Sequence, residues 1–307
     1  YPKLVLDGGS YGTTLYLAYA RQHPASVESI VLRGVSPPHF LINPLQDSGG
    51  AQASIARLIA ECNADASCKK RFPAFARQFD AVAQRFDNGP VSVPVRNAVS
   101  KRMQMVRLSK EVFADRLRQL LYDPAAAAYV PYVIERAYEK DYAPLATLVD
   151  AVTQNFSQLV YLGLNLSVTC AEDIPFITEG DVARTSADSF EGDVRVRAQQ
   201  RACRIWNVDP VSPSFLEPVR SEAPILMVSG TDDPATPPVY ARQALPYLPN
   251  ARIMLIKGGS HWTDTPCIDR LIVAFVRGGS AKGLDLSQCT GSFARPAFAS
   301  SMKGFGD

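Results

Sequence analysis

One short stretch near the start of the chain combines a serine with the glycines of a tight turn. Gly8-Gly9-Ser10-Tyr11-Gly12 follows the apolar run Lys3 to Leu6, which is typical of a buried strand, and precedes Thr13 to His23, which predicts a helix. A G-x-S-x-G turn between strand and helix presents a serine as a nucleophile, and the helix N-terminus favours developing negative charge. We therefore predict that Ser10 is a nucleophile and that the Tyr11 backbone N–H is an oxyanion donor. The alternative is a glycine-rich turn that only connects two elements.

A serine hydroxyl needs a base to take its proton, and the chain offers three histidines. His23 precedes Pro24 at a helix end, where a solvated capping role is expected. His39 follows two prolines and is expected at the surface. His261 follows a predicted strand and a Gly-Gly turn, so a loop can present its imidazole above a sheet edge. We predict that His261 is the general base and then the general acid.

The third member of such a triad is a carboxylate that lies between the serine and the histidine in chain order. Asp232 and Asp233 are adjacent and follow the predicted strand Ile225 to Val228. Only one of them can orient the His261 imidazole, and either could instead cap a turn beside Pro234. The residues themselves leave this choice open.

The elements that must position these residues form two α/β segments separated by a helical one. The strand before Ser10, the following helix and the apolar run Ser29 to Leu32 form a βαβ unit, so its strands should be parallel. Apolar residues then recur at helical spacing for about 180 residues, with one candidate hairpin arm at Val91 to Val95. The α/β pattern resumes at Pro224. This order predicts an α/β sheet with one helical insertion.

The composition is that of an ordinary globular protein and argues against several classes of function. Of the 307 residues, 47% are apolar, and 32 Lys and Arg against 30 Asp and Glu give a net charge of +2. No basic cluster supports nucleic-acid binding. No apolar run reaches the roughly 18 residues that a membrane span requires. No metal or organic cofactor is implied, and the oligomeric state is not indicated.

The six cysteines bear on the compartment. Fifteen pairings are possible, and the simplest scheme joins nearest neighbours, as Cys62–Cys68, Cys170–Cys203 and Cys267–Cys289. An even count without a C-x-x-C pair favours disulfides over zinc. Because disulfides persist in oxidising compartments, we predict a secreted or periplasmic protein. Six buried thiols in a cytosolic enzyme are the alternative.

Three motifs resemble those of the tripeptidyl- and prolyl-aminopeptidase-like serine hydrolases of the α/β-hydrolase superfamily. They are Gly8 to Thr13, Gly230 to Pro237 and Gly258 to His261. In that family the acid precedes the proline of a G-x-x-D-P-x-T-P segment, so the resemblance implies Asp233 as the acid. It also implies an α/β-hydrolase fold with a large helical cap.

The resemblance extends over nearly the whole chain and includes segments typical of secreted members. Those segments are Cys62 to Pro73, Val168 to Pro175 and Arg295 to Phe298. We expect hydrolase core over residues 1–36 and 221–307, and the cap over 37–220. In these enzymes several strands and a His-Gly loop with the second oxyanion donor precede the nucleophile strand. We therefore expect those N-terminal strands to be missing from this partial sheet.

These assignments predict acyl transfer to water through an acyl-enzyme on Ser10, with a peptide or small acyl compound as substrate. An aminopeptidase needs a carboxylate to meet the free α-ammonium group of its substrate. The resemblance points to the cap, where Glu172 and Asp173 are candidates, with helix capping or a surface position as the alternative. An esterase or lipase on the same fold is the main rival, and a non-catalytic binding protein or fragment is the second.

Overall fold

A parallel sheet forms the centre of the computed structural model, which describes residues 1–40, 42–97, 100–303 and 305. Within these residues the sheet has four strands, in the spatial order β1 (Leu4–Gly9), β2 (Val27–Arg33), β5 (Ile225–Gly230) and β6 (Ala251–Ile256). β1 runs parallel to β2, so the predicted βαβ unit is confirmed. β5 pairs in parallel with both β2 and β6, which places strands from the two ends of the chain side by side.

Alternating side chains of the strands face two different helical layers. Ile30, Leu32 and Met227 pack with α1 (Tyr11–Gln22) and α12 (Pro238–Ala244) on one face. On the other face, Val31, Leu226 and Val228 pack with α13 (Pro266–Gly278). This alternation follows from the period of two residues in a strand. β5 is buried along its whole length, which explains its continuous apolar run from Ile225 to Val228. The result is a parallel sheet with helices on both faces, which confirms the predicted α/β class.

Helices and one hairpin lie between β2 and β5 in the chain. The hairpin consists of β3 (Val91–Arg96) and β4 (Met103–Leu108), which pair antiparallel and confirm the predicted arm. The helices are α2 (Asp47–Ala64), α3 (Ala66–Arg71), α4 (Phe75–Arg85), α5 (Lys110–Leu120), α6 (Pro124–Ala127), α7 (Val130–Tyr138), α8 (Ala143–Leu159), α9 (Leu162–Glu172), α10 (Glu179–Ser186) and α11 (Val194–Cys203). They enclose an apolar core of their own, so many of the apolar residues that recur at helical spacing in the sequence are core residues. The division into core (1–36, 221–307) and cap (37–220) remains a prediction.

Three disulfides join the cysteines in the nearest-neighbour scheme. Cys62–Cys68 links α2 to α3, Cys170–Cys203 links α9 to α11, and Cys267–Cys289 ties the start of α13 to the segment that follows it. The second of these disulfides closes a loop of 33 residues. It therefore restrains the end of α9, where Glu172 and Asp173 lie.

The helix that follows the histidine loop has a clear beginning and end. Thr265 caps α13 by accepting a hydrogen bond from the Ile268 N–H, and Gly279 ends it with φ of 61°. Among the described residues, no helix combines the length and apolar character that crossing a membrane would require.

Candidate active site

Ser10 occupies a strained turn between β1 and α1. Its backbone has φ of 55° and ψ of −125°, a conformation that costs a non-glycine residue about 1–3 kcal/mol. The Ser10 N–H donates to the Arg33 carbonyl at 2.9 Å, and the Ser10 carbonyl accepts from the Thr13 N–H and hydroxyl. Ser10 thus holds the N-cap position of α1, but its hydroxyl does not cap the helix. Ser10 is exposed at this turn.

The two motif glycines beside this turn differ in what surrounds them. A Cβ on Gly8 would lie 2.5 Å from a ring carbon of Tyr16, so glycine is required there. At Gly12, a Cβ would meet no described atom within 4 Å. Sterics therefore demand a glycine at Gly8, whereas the space around Gly12 is open.

Tyr11 is the first residue of α1, so its backbone N–H has no acceptor within the helix. That N–H lies directly after Ser10, at the positive end of the helix dipole. The Tyr11 N–H is the group that we predicted from the sequence as a donor to the oxyanion.

His261 and Asp233 come together through their side chains. His261 Nδ1 lies 2.9 Å from Asp233 Oδ2 and 3.1 Å from Asp233 Oδ1. Thr236 donates its hydroxyl to Asp233 Oδ2 at 2.6 Å, and the Ala235 and Thr236 N–H groups donate to Oδ1. Burial by itself raises the pKa of the Asp233 carboxyl, but the nearby His261 and these hydrogen bonds outweigh it and lower the pKa. Asp233 is therefore held as a buried carboxylate.

Asp232 points to a different set of partners. Its Oδ1 lies 3.4 Å from Arg57 Nε on α2, and its Oδ2 accepts from Arg295 at 3.2 Å. Arg295 also pairs with Glu61 at 2.7 Å. Asp232 thus joins the acid loop to α2 and to the C-terminal tail, and it is not available to His261.

Gly34 lies against the same imidazole, and sequence reasoning did not single it out. Its φ is +61°, and a Cβ there would lie 2.6 Å from Thr236 Oγ1 and 3.3 Å from His261 Nδ1. Its position in the sequence could have indicated it. Gly34 directly follows β2, at the same end of the parallel sheet as the loops that carry Asp233 and His261.

One cavity of about 380 Å³ includes Ser10, Asp233 and His261 in its lining, together with Arg33 and Trp262. Among the described residues, neither the Ser10 hydroxyl nor His261 Nε2 has a hydrogen-bond partner. The His261 side chain is 5% exposed, and Asp233 is 1% exposed. The structure therefore brings the predicted nucleophile and base to one cavity. The hydrogen bond between Asp233 and His261 Nδ1 orients the base.

Of the two candidate carboxylates in the helical insertion, Glu172 contacts this site through Tyr11. The Tyr11 hydroxyl donates to Glu172 Oε1 at 3.0 Å, at the end of α9. Burial raises the pKa of Glu172, against a smaller opposing effect of the Tyr11 hydrogen bond. Burial and the neighbouring Glu172 raise the pKa of Asp173 well above its ordinary value. Two carboxyls thus share a partly desolvated position beside the residue that follows Ser10.

The other two histidines lie in different surroundings. His23 ends α1, where its N–H donates to the Tyr19 carbonyl, and its ring lies 4.9 Å from that of Tyr19. His39 packs edge-on against Tyr247 at 5.9 Å and is half-buried, which corrects the expected surface position. The correction follows from burial of the ring against an aromatic neighbour that is distant in sequence.

Comparisons with known proteins give one family match and several relatives. Residues 188–289 match the family described as TAP-like protein. Serine protease Hip1 of Mycobacterium tuberculosis is 24% identical over 303 aligned residues, and the match covers 91% of this chain and 56% of Hip1. Hip1 of Mycobacterium bovis gives the same values. The chain thus spans about half the length of the curated relatives it matches.

Several solved structures align with most of this chain at low structural similarity. An α/β hydrolase from a Medee basin deep-sea metagenome library, MGS-M2, is 14% identical with a TM-score of 0.35, covering 91% of this chain and 65% of its own. The meta-cleavage product hydrolase CumD from Pseudomonas fluorescens is 12% identical with a TM-score of 0.37, covering 91% and 66%.

Proposed function

We propose that this TAP-like α/β-hydrolase is a serine hydrolase that forms an acyl-enzyme on Ser10, with His261 as base and Asp233 as its orienting acid. The observation that carries the proposal is the buried Asp233–His261 hydrogen bond in the cavity that the strained Ser10 also lines. A strained serine, an oriented imidazole and a carboxylate at one sheet edge are what acyl transfer requires.

The geometry suggests a specific order of proton transfers. Because Nδ1 of His261 is engaged by Asp233, Nε2 is the atom that takes the Ser10 proton as Oγ attacks the carbonyl carbon. The Tyr11 N–H stabilises the oxyanion, and the imidazolium then protonates the leaving group. Water repeats the sequence on the acyl-enzyme and releases Ser10. Asp233 stays ionised throughout and stabilises the imidazolium.

We infer further that the substrate is a peptide with a free N-terminus. Glu172 and Asp173 support this, because a carboxylate that is partly withdrawn from water pairs strongly with an ammonium group. Glu172 contacts Tyr11, the residue after Ser10, so an ammonium group bound by Glu172 would lie near the scissile carbonyl. The three disulfides support a secreted or periplasmic location.

A substrate panel tests this proposal. Aminoacyl- and tripeptidyl-nitroanilides with free N-termini should be hydrolysed, and acetylation of the N-terminus should reduce kcat/KM. Nitrophenyl esters serve as the comparison, because esters need the same triad but no ammonium site. Ser10→Ala should abolish turnover of both classes. Hydrolysis of esters alone would favour an esterase, and indifference to acetylation would contradict recognition of the free amine.

A further inference from the structure

The cap contacts both residues that flank His261. At the end of α5, the Tyr122 carbonyl accepts a hydrogen bond from the Trp262 N–H at 3.0 Å. The preceding carbonyl, that of Leu121, accepts from the Ser260 hydroxyl at 2.5 Å. Two consecutive cap residues therefore hold the chain on either side of the imidazole.

The Tyr122 side chain contacts the imidazole itself. The ring centroids of Tyr122 and His261 lie 4.6 Å apart, and Tyr122 is 8% exposed. The hydrogen bond to Asp233 fixes the direction of Nδ1, but it leaves the ring free to tilt about that bond. A packed aromatic ring removes this freedom, because contact between the two ring surfaces allows few orientations.

A buried charge network holds Tyr122 in turn. Its hydroxyl accepts a hydrogen bond from Arg118, a guanidinium that is 1% exposed. Arg118 also donates to Asp115 at 3.0 Å and lies 3.3 Å from Glu191. The ring that touches His261 is thereby anchored to the interior of the cap, where movement is restricted by several charged partners.

We propose that Tyr122 is a positioning residue through which the cap sets the orientation of the His261 imidazole. The expected effect on kcat rests on the proposed function. The orientation of His261 by Tyr122 does not depend on it. The Tyr122 ring contacts His261, and two hydrogen bonds hold the residues on either side of it. The orientation of the His261 imidazole therefore depends on the position of the cap. Loss of the ring should therefore reduce the chemical step more than substrate binding.

Three variants separate this role from a general effect on stability. Tyr122→Leu removes the ring, and Tyr122→Phe keeps the ring but loses the hydroxyl. Phe113→Leu is the control, because Phe113 is 1% exposed in α5, the helix that precedes Tyr122, and stacks on Phe86 at 4.8 Å. We expect Tyr122→Leu to lower kcat by about 10²-fold with little change in KM, as a misplaced catalytic group does. Tyr122→Phe keeps the ring contact with His261 but loses the hydrogen bond from Arg118, so its loss of kcat should be much smaller than that of Tyr122→Leu. Phe113→Leu should keep most of the wild-type kcat.

A spectroscopic readout tests the positioning without relying on turnover. The Nδ1 proton shared by His261 and Asp233 should give a strongly deshielded NMR resonance in the wild type and in Tyr122→Phe. It should broaden or vanish in Tyr122→Leu and persist in Phe113→Leu. If Tyr122→Leu does not fold, Ser260→Ala removes one flanking hydrogen bond and should weaken the same resonance.

The outcomes distinguish the two proposals. A wild type that hydrolyses no acyl substrate overturns the proposed function, while the resonance still tests the role of Tyr122. An active wild type with an unchanged resonance and kcat in Tyr122→Leu overturns the positioning role alone. Equal losses of kcat in Tyr122→Leu and Phe113→Leu would also overturn it.

Discussion

Asp232 and Asp233 are neighbours in the chain, yet their carboxylates face different partners. Asp233 Oδ2 lies 2.9 Å from His261 Nδ1, whereas Asp232 Oδ2 lies 3.2 Å from a guanidinium nitrogen of Arg295. Asp232 Oδ1 lies 3.4 Å from Arg57 Nε. The Asp233 carboxylate therefore orients the His261 imidazole. The Asp232 carboxylate instead links the loop to α2 and to the C-terminal tail.

This division predicts opposite effects of two conservative substitutions. Asp233→Asn should lower kcat by about 10³–10⁴-fold, because an amide favours the wrong imidazole tautomer. Asp232→Asn should leave kcat nearly unchanged and lower the free energy of unfolding by about 1–3 kcal/mol, since two arginines lose a charged acceptor. Steady-state kinetics and urea denaturation measure the two effects. A large loss of kcat in Asp232→Asn alone would reverse the assignment.

Gly34 offers a second test at the imidazole. Gly34→Ala should place a methyl group 2.6 Å from Thr236 Oγ1 and displace the groups that hold His261, lowering kcat about tenfold or more. Gly279→Ala is the matched control, because Gly279 has the same φ of +61° but no described atom within 4 Å of the added carbon. Both variants should lose similar stability from the backbone, about 1–2 kcal/mol. Equal activity in the two variants would show that crowding at Gly34 does not matter for catalysis.

Recognition of the substrate amine can be tested at Glu172. Glu172→Gln should raise KM about tenfold or more for peptides with a free N-terminus and leave a simple acyl ester unaffected, because only the peptide presents an ammonium group. Glu179→Gln is a suitable control, since Glu179 is a cap carboxylate that pairs with Arg197. Equal losses on both substrates would refute the role of Glu172.

Glu191 predicts a pH dependence of stability. Burial raises its pKa to about 7 from an ordinary value of 4.5, and the nearby Arg118 opposes this shift without cancelling it. Between these two values the folded protein binds more protons than the unfolded chain. The stabilising contribution of protonated Glu191 is therefore complete below pH 4.5 and is lost as pH rises through about 7.

Urea denaturation at several pH values measures this effect. The free energy of unfolding should fall between pH 4.5 and about 7 in the wild type, and Glu191→Gln should reduce that slope. Glu61, whose pKa burial also raises to about 7, should account for part of the slope that remains. An identical slope in Glu191→Gln would mean that Glu191 does not titrate in this range.

Local patterns in the sequence were sufficient to predict the strands and loops that form the candidate site. The βαβ pattern around Ser10 and the turns before Asp233 and His261 each depend on adjacent residues, and parallel pairing brings their loops to one edge. The choice between Asp232 and Asp233 needed the family resemblance, because turn chemistry suits both. The triad itself remains a prediction until activity is measured.

Contacts between distant parts of the chain could not be predicted in this way. The hydrogen bond from Ser260 to Leu121 joins residues 139 positions apart, and no local pattern marks Tyr122 as a neighbour of His261. The same holds for Arg295, which reaches Asp232 from the tail. Tertiary packing decides such contacts, and neither periodicity nor composition encodes them in one sequence.

Covalent labelling with a fluorophosphonate tests directly whether Ser10 is an activated nucleophile. Mass spectrometry of the labelled protein and its peptides should show one adduct, on the Ser10 hydroxyl, in the wild type. Ser10→Ala should show none, and His261→Ala should react much more slowly because no base activates the serine. Unlabelled wild type, or an adduct that persists in Ser10→Ala, would contradict the account.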